Sequence, residues 1–173
     1  MEPKKIIDIL AMFDTRAILD TNEEHSRDAE YPTRVAPGYV HTVSPGVEFT
    51  RLSEGELYIG VPPGSFARWR ETALPFDEEY SALMYRCIGD SELVDGFDPL
   101  VYLVRQPHPQ SGDGENGEFD TDIVKGHAWG MRVAGIGSGD FEFHFQVVKG
   151  REEVVGYFSW PVNITFMGTP APA

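Results

Sequence analysis

The chain has 173 residues, with 28 acidic and 14 basic side chains, so its formal net charge is −14. Such a polyanion repels phosphate backbones and anionic lipid, which argues against nucleic acid and membrane surfaces as partners. Hydrophobic residues make up 41% of the chain, enough for a packed core, and the length fits a single domain over residues 1–173. Cys87 is the only cysteine, which excludes an internal disulfide and suits a reducing compartment.

The N-terminal segment carries two lysines and then a short apolar run over residues 6–13. Asp8 interrupts this run and Asp14 ends it, so it is too short and too polar for a signal peptide. We predict a strand that lies centrally in a sheet, and a cytoplasmic location. The polar stretch 20–36 is predicted to be a long loop.

Turn residues then separate segments of alternating polarity, which predicts short strands at 39–43, 47–52 and 57–61. Residues 65–74 fit either a strand or a helix. The segment 78–88 is also ambiguous. A helical stripe is formed by Tyr80, Leu83, Met84 and Cys87, whereas Leu83, Tyr85 and Cys87 fit one face of a strand.

The second half of the chain has the stronger strand signal. In residues 140–148, four apolar side chains alternate with polar ones, the period of a half-buried strand. Further strands are predicted at 100–104, 128–133, 154–160 and 162–166, and residues 167–173 are predicted to be a frayed tail.

Together these patterns predict an all-β fold of about eight to ten strands with little helix. Long helical patterns between the strands are missing, which argues against a parallel α/β fold. The prediction is an antiparallel, jelly-roll-like β-sandwich.

Residues 111–122 read SGDGENGEFDTD, which raises the question of a calcium site. An EF-hand frame that starts at Asp113 fails, because Gly117 stands at its fifth position and Glu118 at its sixth, where glycine is required. We predict a solvated connector and no metal or cofactor. A calcium site of another kind stays as an alternative, with Asp113, Asp120 and Asp122 as its ligands.

Tryptophans flanked by polar groups indicate a candidate carbohydrate-binding face, since an indole can stack on a sugar ring while its neighbours bind hydroxyls. Trp69 lies between Arg68 and Arg70, and Trp129 and Asn163 complete the predicted ligand-binding set. The alternative is that the tryptophans belong to the core.

Sequence motifs that carry catalysis are not found in the chain. An enzyme site assembled across strands, for example from Asp14, His41 and Arg70, stays as an alternative, without a spacing argument to support it. The prediction is therefore that the protein is not an enzyme.

Several segments together resemble the PixA/AidA family of bacterial inclusion-body proteins. They are Asp14-Thr15 at the end of the first strand, Arg68-Trp69-Arg70 feeding into residues 80–85, and the closing Gly156-Tyr157-Phe158-x-Trp160. The resemblance covers roughly residues 5–167. It implies a cytoplasmic β-sandwich protein that accumulates in dense bodies and self-associates, as a homodimer. It also favours a strand over 78–88, and it brings no catalytic residues.

The resulting functional prediction is a non-enzymatic, self-associating protein with a lectin-like carbohydrate-binding face. A storage or packing protein without a ligand is the further alternative.

Overall fold

The structure is a computed structural model that describes residues 4–46, 48–74, 79–109 and 119–168. Within these ranges the chain forms eleven strands, one short helix, α1 (Thr15–Thr21), and a 3₁₀ turn at Pro37–Tyr39. Neither helical segment of these ranges is long and apolar enough to cross a membrane. The strands, in chain order, are β1 (Ile6–Asp14), β2 (Thr33–Arg34), β3 (Val40–Val43), β4 (Phe49–Ser53), β5 (Glu56–Gly60), β6 (Phe66–Leu74), β7 (Tyr80–Ile88), β8 (Val94–Pro109), β9 (Phe119–Val133), β10 (Gly137–Lys149) and β11 (Glu153–Met167).

The strands form two sheets that face each other. The first sheet runs in the order β3-β1-β6-β9-β8, and the second in the order β4-β5-β11-β10-β7, with β2 added on β11. The predicted all-β sandwich is confirmed, with one strand more than the upper count, because the two-residue β2 has no periodicity to detect. Most neighbouring strands are antiparallel, as expected. However, β1 runs parallel to β6, and β11 runs parallel to β2 and β5.

Strand β10 illustrates why the sequence folds in this way. Phe141, Phe143 and Phe145 alternate with polar residues, and each of these rings is at most 2% exposed. Alternate side chains of a strand point to opposite faces, so the three rings share the face that meets the first sheet. Their partners on β11 are also apolar and buried, and these are Val162, Trp160 and Phe158.

Aromatic rings from both sheets fill the core. Trp69 on β6 packs against Phe143 on β10, with 4.8 Å between the ring centroids. Phe13 on β1 packs against Phe145 on β10 at 4.2 Å. Burial of each side chain of this size contributes about 1.5–3 kcal/mol. Because the paired rings come from opposite sheets, this burial holds the sandwich together.

In the ambiguous segment 78–88, residues 80–88 form a strand, β7, as the family resemblance implied, and residue 78 lies outside the described residues. Its pairing with β10 shifts register at His144 and Phe145, so that Met84 faces Phe145 while Cys87 faces Phe143. This β-bulge places two inward-facing residues three positions apart instead of two. The bulge therefore accounts for the three-residue spacing of Met84 and Cys87, whereas Leu83, also part of the helical stripe, pairs with Gln146 on the outer face.

The predicted loop 20–36 is partly ordered against the second sheet. The helix α1 was not predicted, and it begins where the Asp14 carboxylate accepts a hydrogen bond from the backbone N–H of Ala17 at 3.0 Å. After α1, the Tyr85 hydroxyl donates to the carbonyl of Ala29 at 2.8 Å. Val35 is buried in the core.

Strands β8 and β9 are much longer than the predicted segments 100–104 and 128–133. They pair along their whole length, as far as Pro109 and Phe119. The pairing of β9 with β6 ends at Trp129, so the distal part of the hairpin is a two-stranded ribbon. We call residues 100–109 and 119–128 the arm. The predicted acidic connector falls partly on 110–118, outside the described residues, but residues 119–122 belong to β9.

Candidate functional site

Two of the predicted binding residues lie together on the outer face of the first sheet. The parallel register of β1 and β6 places Asp8 opposite Arg68. The Arg68 guanidinium donates two hydrogen bonds to the Asp8 carboxylate, at 2.9 and 2.7 Å, and Arg70 donates one at 3.3 Å. Burial alone would raise the pKa of Asp8, but the hydrogen bonds and charges of the two arginines outweigh it and lower that pKa.

These arginines border a small cavity where the arm leaves the body of the molecule. Its volume is about 250 Å³. Tyr102 lines it, and its hydroxyl donates to the carbonyl of His127 at 3.3 Å. The cavity combines apolar walls with guanidinium donors, which suits a small anionic or hydroxylated group. Its lining residues are Arg68, Arg70, Leu100, Val101, Tyr102 and Ala128.

The two tryptophans of the predicted set do not lie on the outer face of the first sheet with the arginines. The Trp69 ring is fully buried between the sheets and offers no open face to a ligand. Trp129 is partly buried and stacks on Phe97, with 4.9 Å between the centroids and 7° between the ring planes. Both rings therefore pack in or against the core, which is the alternative considered for them.

Asn163 lies on the second sheet, so the five predicted residues do not form one site. Its side-chain oxygen accepts a hydrogen bond from Ser138 at 2.7 Å, and its amide nitrogen donates to Asp140 at 2.9 Å. This polar row borders an open groove of about 580 Å³. Arg34 and Glu56 also border the groove and add a donor and an acceptor.

Two of the three residues of the calcium alternative are described. Asp120 and Asp122 lie on β9, and the Asp122 carboxylate is 3.3 Å from the His108 imidazole on β8. Asp113 lies outside the described residues. Among the residues that are described, no group of three or more His, Cys, Asp or Glu side chains could hold a metal ion.

The residues of the enzyme alternative have separate partners. Asp14 caps α1, and Arg70 is bound to Asp8. His41 is exposed on β3 and contacts Arg51 at 3.3 Å. Of four cavities bordered by described residues, two are lined by Arg70 and none by Asp14 or His41.

A buried carboxylate was missed at the sequence level. The Glu71 side chain is 1% exposed, and one of its oxygens accepts from the Met84 backbone N–H at 3.2 Å and lies 2.8 Å from the His127 imidazole. The other oxygen is buried and has no hydrogen-bond partner among the described residues. The only available signal was a Glu at an inward position of β6, two residues after Trp69.

Two further groups on the second sheet were also missed. His144 is 4% exposed although it lies on the outer face of β10, and desolvation lowers its pKa. Cys87, on β7, is half-buried, and burial raises the pKa of its thiol to about 12. A thiol with such a pKa stays protonated at neutral pH and is a poor nucleophile.

Comparison with known proteins decides the family. A family model described as "PixA: Inclusion body protein" matches residues 5–166. The chain belongs to the PixA family of inclusion body proteins. The resemblance seen in the sequence is thereby confirmed.

A solved structure of a PixA inclusion body protein from Burkholderia cenocepacia has the same fold. The TM-score is 0.75 at 20% sequence identity, and the match covers 95% of this chain and 97% of that one. A cysteine protease inhibitor from Entamoeba histolytica also matches, at 8% identity, with a TM-score of 0.29 over 64% of this chain and 85% of that one. No curated protein matches this PixA-family chain.

Proposed function

We propose that this PixA-family chain is a non-enzymatic protein that associates with copies of itself and accumulates in cytoplasmic inclusion bodies. One observation carries the proposal. Seven of the fourteen large apolar side chains that are exposed among the described residues lie on the arm. They are Leu100, Val101, Leu103, Val104, Phe119, Ile123 and Val124.

Such a concentration of exposed apolar side chains on a long edge hairpin is typical of an interaction surface. A net charge of −14 opposes non-specific clumping of identical molecules, so association must depend on a local surface. The separate positions of Asp14, His41 and Arg70 leave the enzyme alternative without a site made of these three residues.

Sedimentation velocity over a concentration series tests this function. We expect the mean sedimentation coefficient to rise with concentration as dimers or larger species form. A strict monomer at the highest attainable concentration would contradict the proposal.

The second candidate function is carbohydrate binding in the groove beside Asn163. Its volume of about 580 Å³ lies in the range of small-ligand sites, and amide, carboxylate and guanidinium groups border it. These are the groups that bind sugar hydroxyls.

A glycan array with the purified protein tests this second function. We expect binding that is lost in Asn163→Ala and kept in Arg68→Ala, which changes the opposite sheet. Loss in Arg68→Ala alone would instead place the sugar on the first sheet, near Arg70 and Tyr102. An array without any bound glycan would contradict carbohydrate binding and leave storage or packing without a ligand.

A further inference from the structure

The two faces of the arm differ because side chains alternate along its strands. Met131 on β9 is fully buried in the core, and Trp129 packs against that core. Every second residue towards the arm tip lies on this same side. We call it the inner face of the arm. It carries Val101, Leu103, Arg105 and Pro107 from β8 and Phe119, Thr121, Ile123, Lys125 and His127 from β9.

In the body of the molecule this inner side of the first sheet is covered by the second sheet. On the described part of the arm only His127, at its base, contacts Glu71 of the body, and the apolar side chains beyond it are exposed. Val101 and Leu103 are 71% and 70% exposed, and Phe119 and Ile123 are each 64% exposed. A face that is core at one end of a strand pair is thus open to solvent at the other end. An isolated two-stranded ribbon of this kind is marginally stable in water.

The inner face is also the basic face of the arm. Arg105 and Lys125 lie there, and neither forms an ion pair with another described residue. The described acidic residues of the arm, Asp120 and Asp122, lie on the opposite face, where Asp122 contacts His108. An apolar and basic surface fits a partner surface that is acidic and partly apolar.

We propose that the inner face of the arm docks on the body of a second copy of this chain. A second copy fits this face by charge, since a chain of net charge −14 is an acidic partner for Arg105 and Lys125. A second copy also fits by continuity, since in the body this face is covered by a sheet of the same chain. The inference rests on the proposed self-association and names the surface that brings it about.

The test compares matched variants by sedimentation velocity. Ile123→Glu places a charge on the inner face, and Ile136→Glu makes the same change at a position of similar exposure outside the arm, 60% against 64%. We expect Ile123→Glu to raise the concentration at half-association by about tenfold or more, the effect of losing one buried apolar side chain. Ile136→Glu should associate like the unchanged protein.

A second pair tests the charge complementarity. Arg105→Glu and Arg151→Glu alter the net charge equally, and both residues are exposed. Only Arg105→Glu is expected to weaken association. Val104→Glu, on the outer face of the arm, should have less effect than Ile123→Glu. Thermal unfolding of each variant as a dilute monomer verifies the fold, and Leu103→Gln replaces Ile123→Glu if that variant is unfolded.

The outcomes separate the two proposals. If the unchanged protein is monomeric at every concentration, self-association and arm docking are both wrong, and the inner face serves a different partner. If it associates while Ile123→Glu and Ile136→Glu behave alike, the arm docking is wrong and self-association stands. Association that only the inner-face variants weaken supports the docking.

Discussion

Trp69 has one of the largest fully buried side chains in the core. It is fully buried and packs against Phe143 at 4.8 Å and Trp160 at 6.4 Å between centroids. We expect Trp69→Ala to lower the free energy of unfolding by about 3–5 kcal/mol, because it leaves a large cavity. Urea unfolding measures this. The partly exposed Trp129 serves as control, and a larger loss in Trp129→Ala would contradict the assignment of Trp69 to the core.

The ion pairs of Asp8 should make the free energy of unfolding depend on pH. Its carboxylate has a folded-state pKa below the ordinary value of 3.8, so its bonds to Arg68 and Arg70 favour the folded state above that value. This contribution is lost as the pH falls through the lowered pKa. We expect Asp8→Asn to be less stable at pH 7 by up to about 1 kcal/mol, as for a partly exposed ion pair.

The measurement is urea unfolding of both proteins from neutral to acidic pH. The difference between the two stability curves should hold above about pH 3.8, the unfolded-state value, and shrink as the pH falls further, through the lowered folded-state pKa. A difference that stays constant well below pH 3.8 would show that Asp8 acts through packing rather than charge.

The sequence around Trp69 shows how far residue patterns can be interpreted. Its flanking arginines suggested a sugar-stacking ring, but in a strand the two neighbours of any residue point to the opposite face. Arg68 and Arg70 are therefore outside because Trp69 is inside. The pairing of both arginines with Asp8 could not be predicted, because it depends on the parallel register of β1 and β6.

At the scale of elements, Glu71 links three strands. From β6 it accepts a hydrogen bond from Met84 on β7 and contacts His127 at the base of the arm on β9. We expect Glu71→Ala to cost about 2–3 kcal/mol, since hydrogen bonds to a buried charged group are lost.

Chemical denaturation checks this prediction, with Glu71→Gln as its matched control. The glutamine keeps an oxygen that can accept the Met84 N–H, so most of the stability should return. Equal losses in both variants would indicate that the charge itself, rather than the hydrogen bonds, is required at this position.

The tip of the arm gives a prediction about metal. Asp122 already contacts His108, and the described residues hold no cluster that could ligate a cation. We expect millimolar calcium to leave the melting temperature unchanged in a thermal unfolding assay. A clear rise that Asp120→Asn abolishes would establish a calcium site, and magnesium at equal concentration controls for ionic strength.

The sequence predicted the types of the secondary-structure elements more accurately than their lengths. The alternation in β10 and β11 arises from burial on one face, and that pattern is visible in the residues themselves. Beyond Ala128, which is buried, most of the arm is exposed on both faces. Little burial therefore constrains its sequence, and only short segments of β8 and β9 were predicted. The bulge in β7 and the capped helix α1 depend on local geometry that periodicity does not encode.

For the whole molecule, the single thiol bears on whether the proposed assemblies are covalent. Burial raises the pKa of Cys87 to about 12, so the thiolate that would form a disulfide is scarce at neutral pH. We expect assemblies to dissolve equally on dilution with or without a reducing agent. Sedimentation of diluted samples with and without the reducing agent measures this dissociation. A covalent dimer that a non-reducing gel shows and that disappears in Cys87→Ser would contradict the prediction.

The order of strands in the second sheet has a consequence for synthesis on the ribosome. Strand β11 pairs with β2, β5 and β10, yet it follows all of them along the chain. Until it has left the exit tunnel, β5 and β10 have no common neighbour and the aromatic core cannot close. Nascent chains therefore expose apolar strands for longer than a fold built from consecutive hairpins would, a state prone to aggregation.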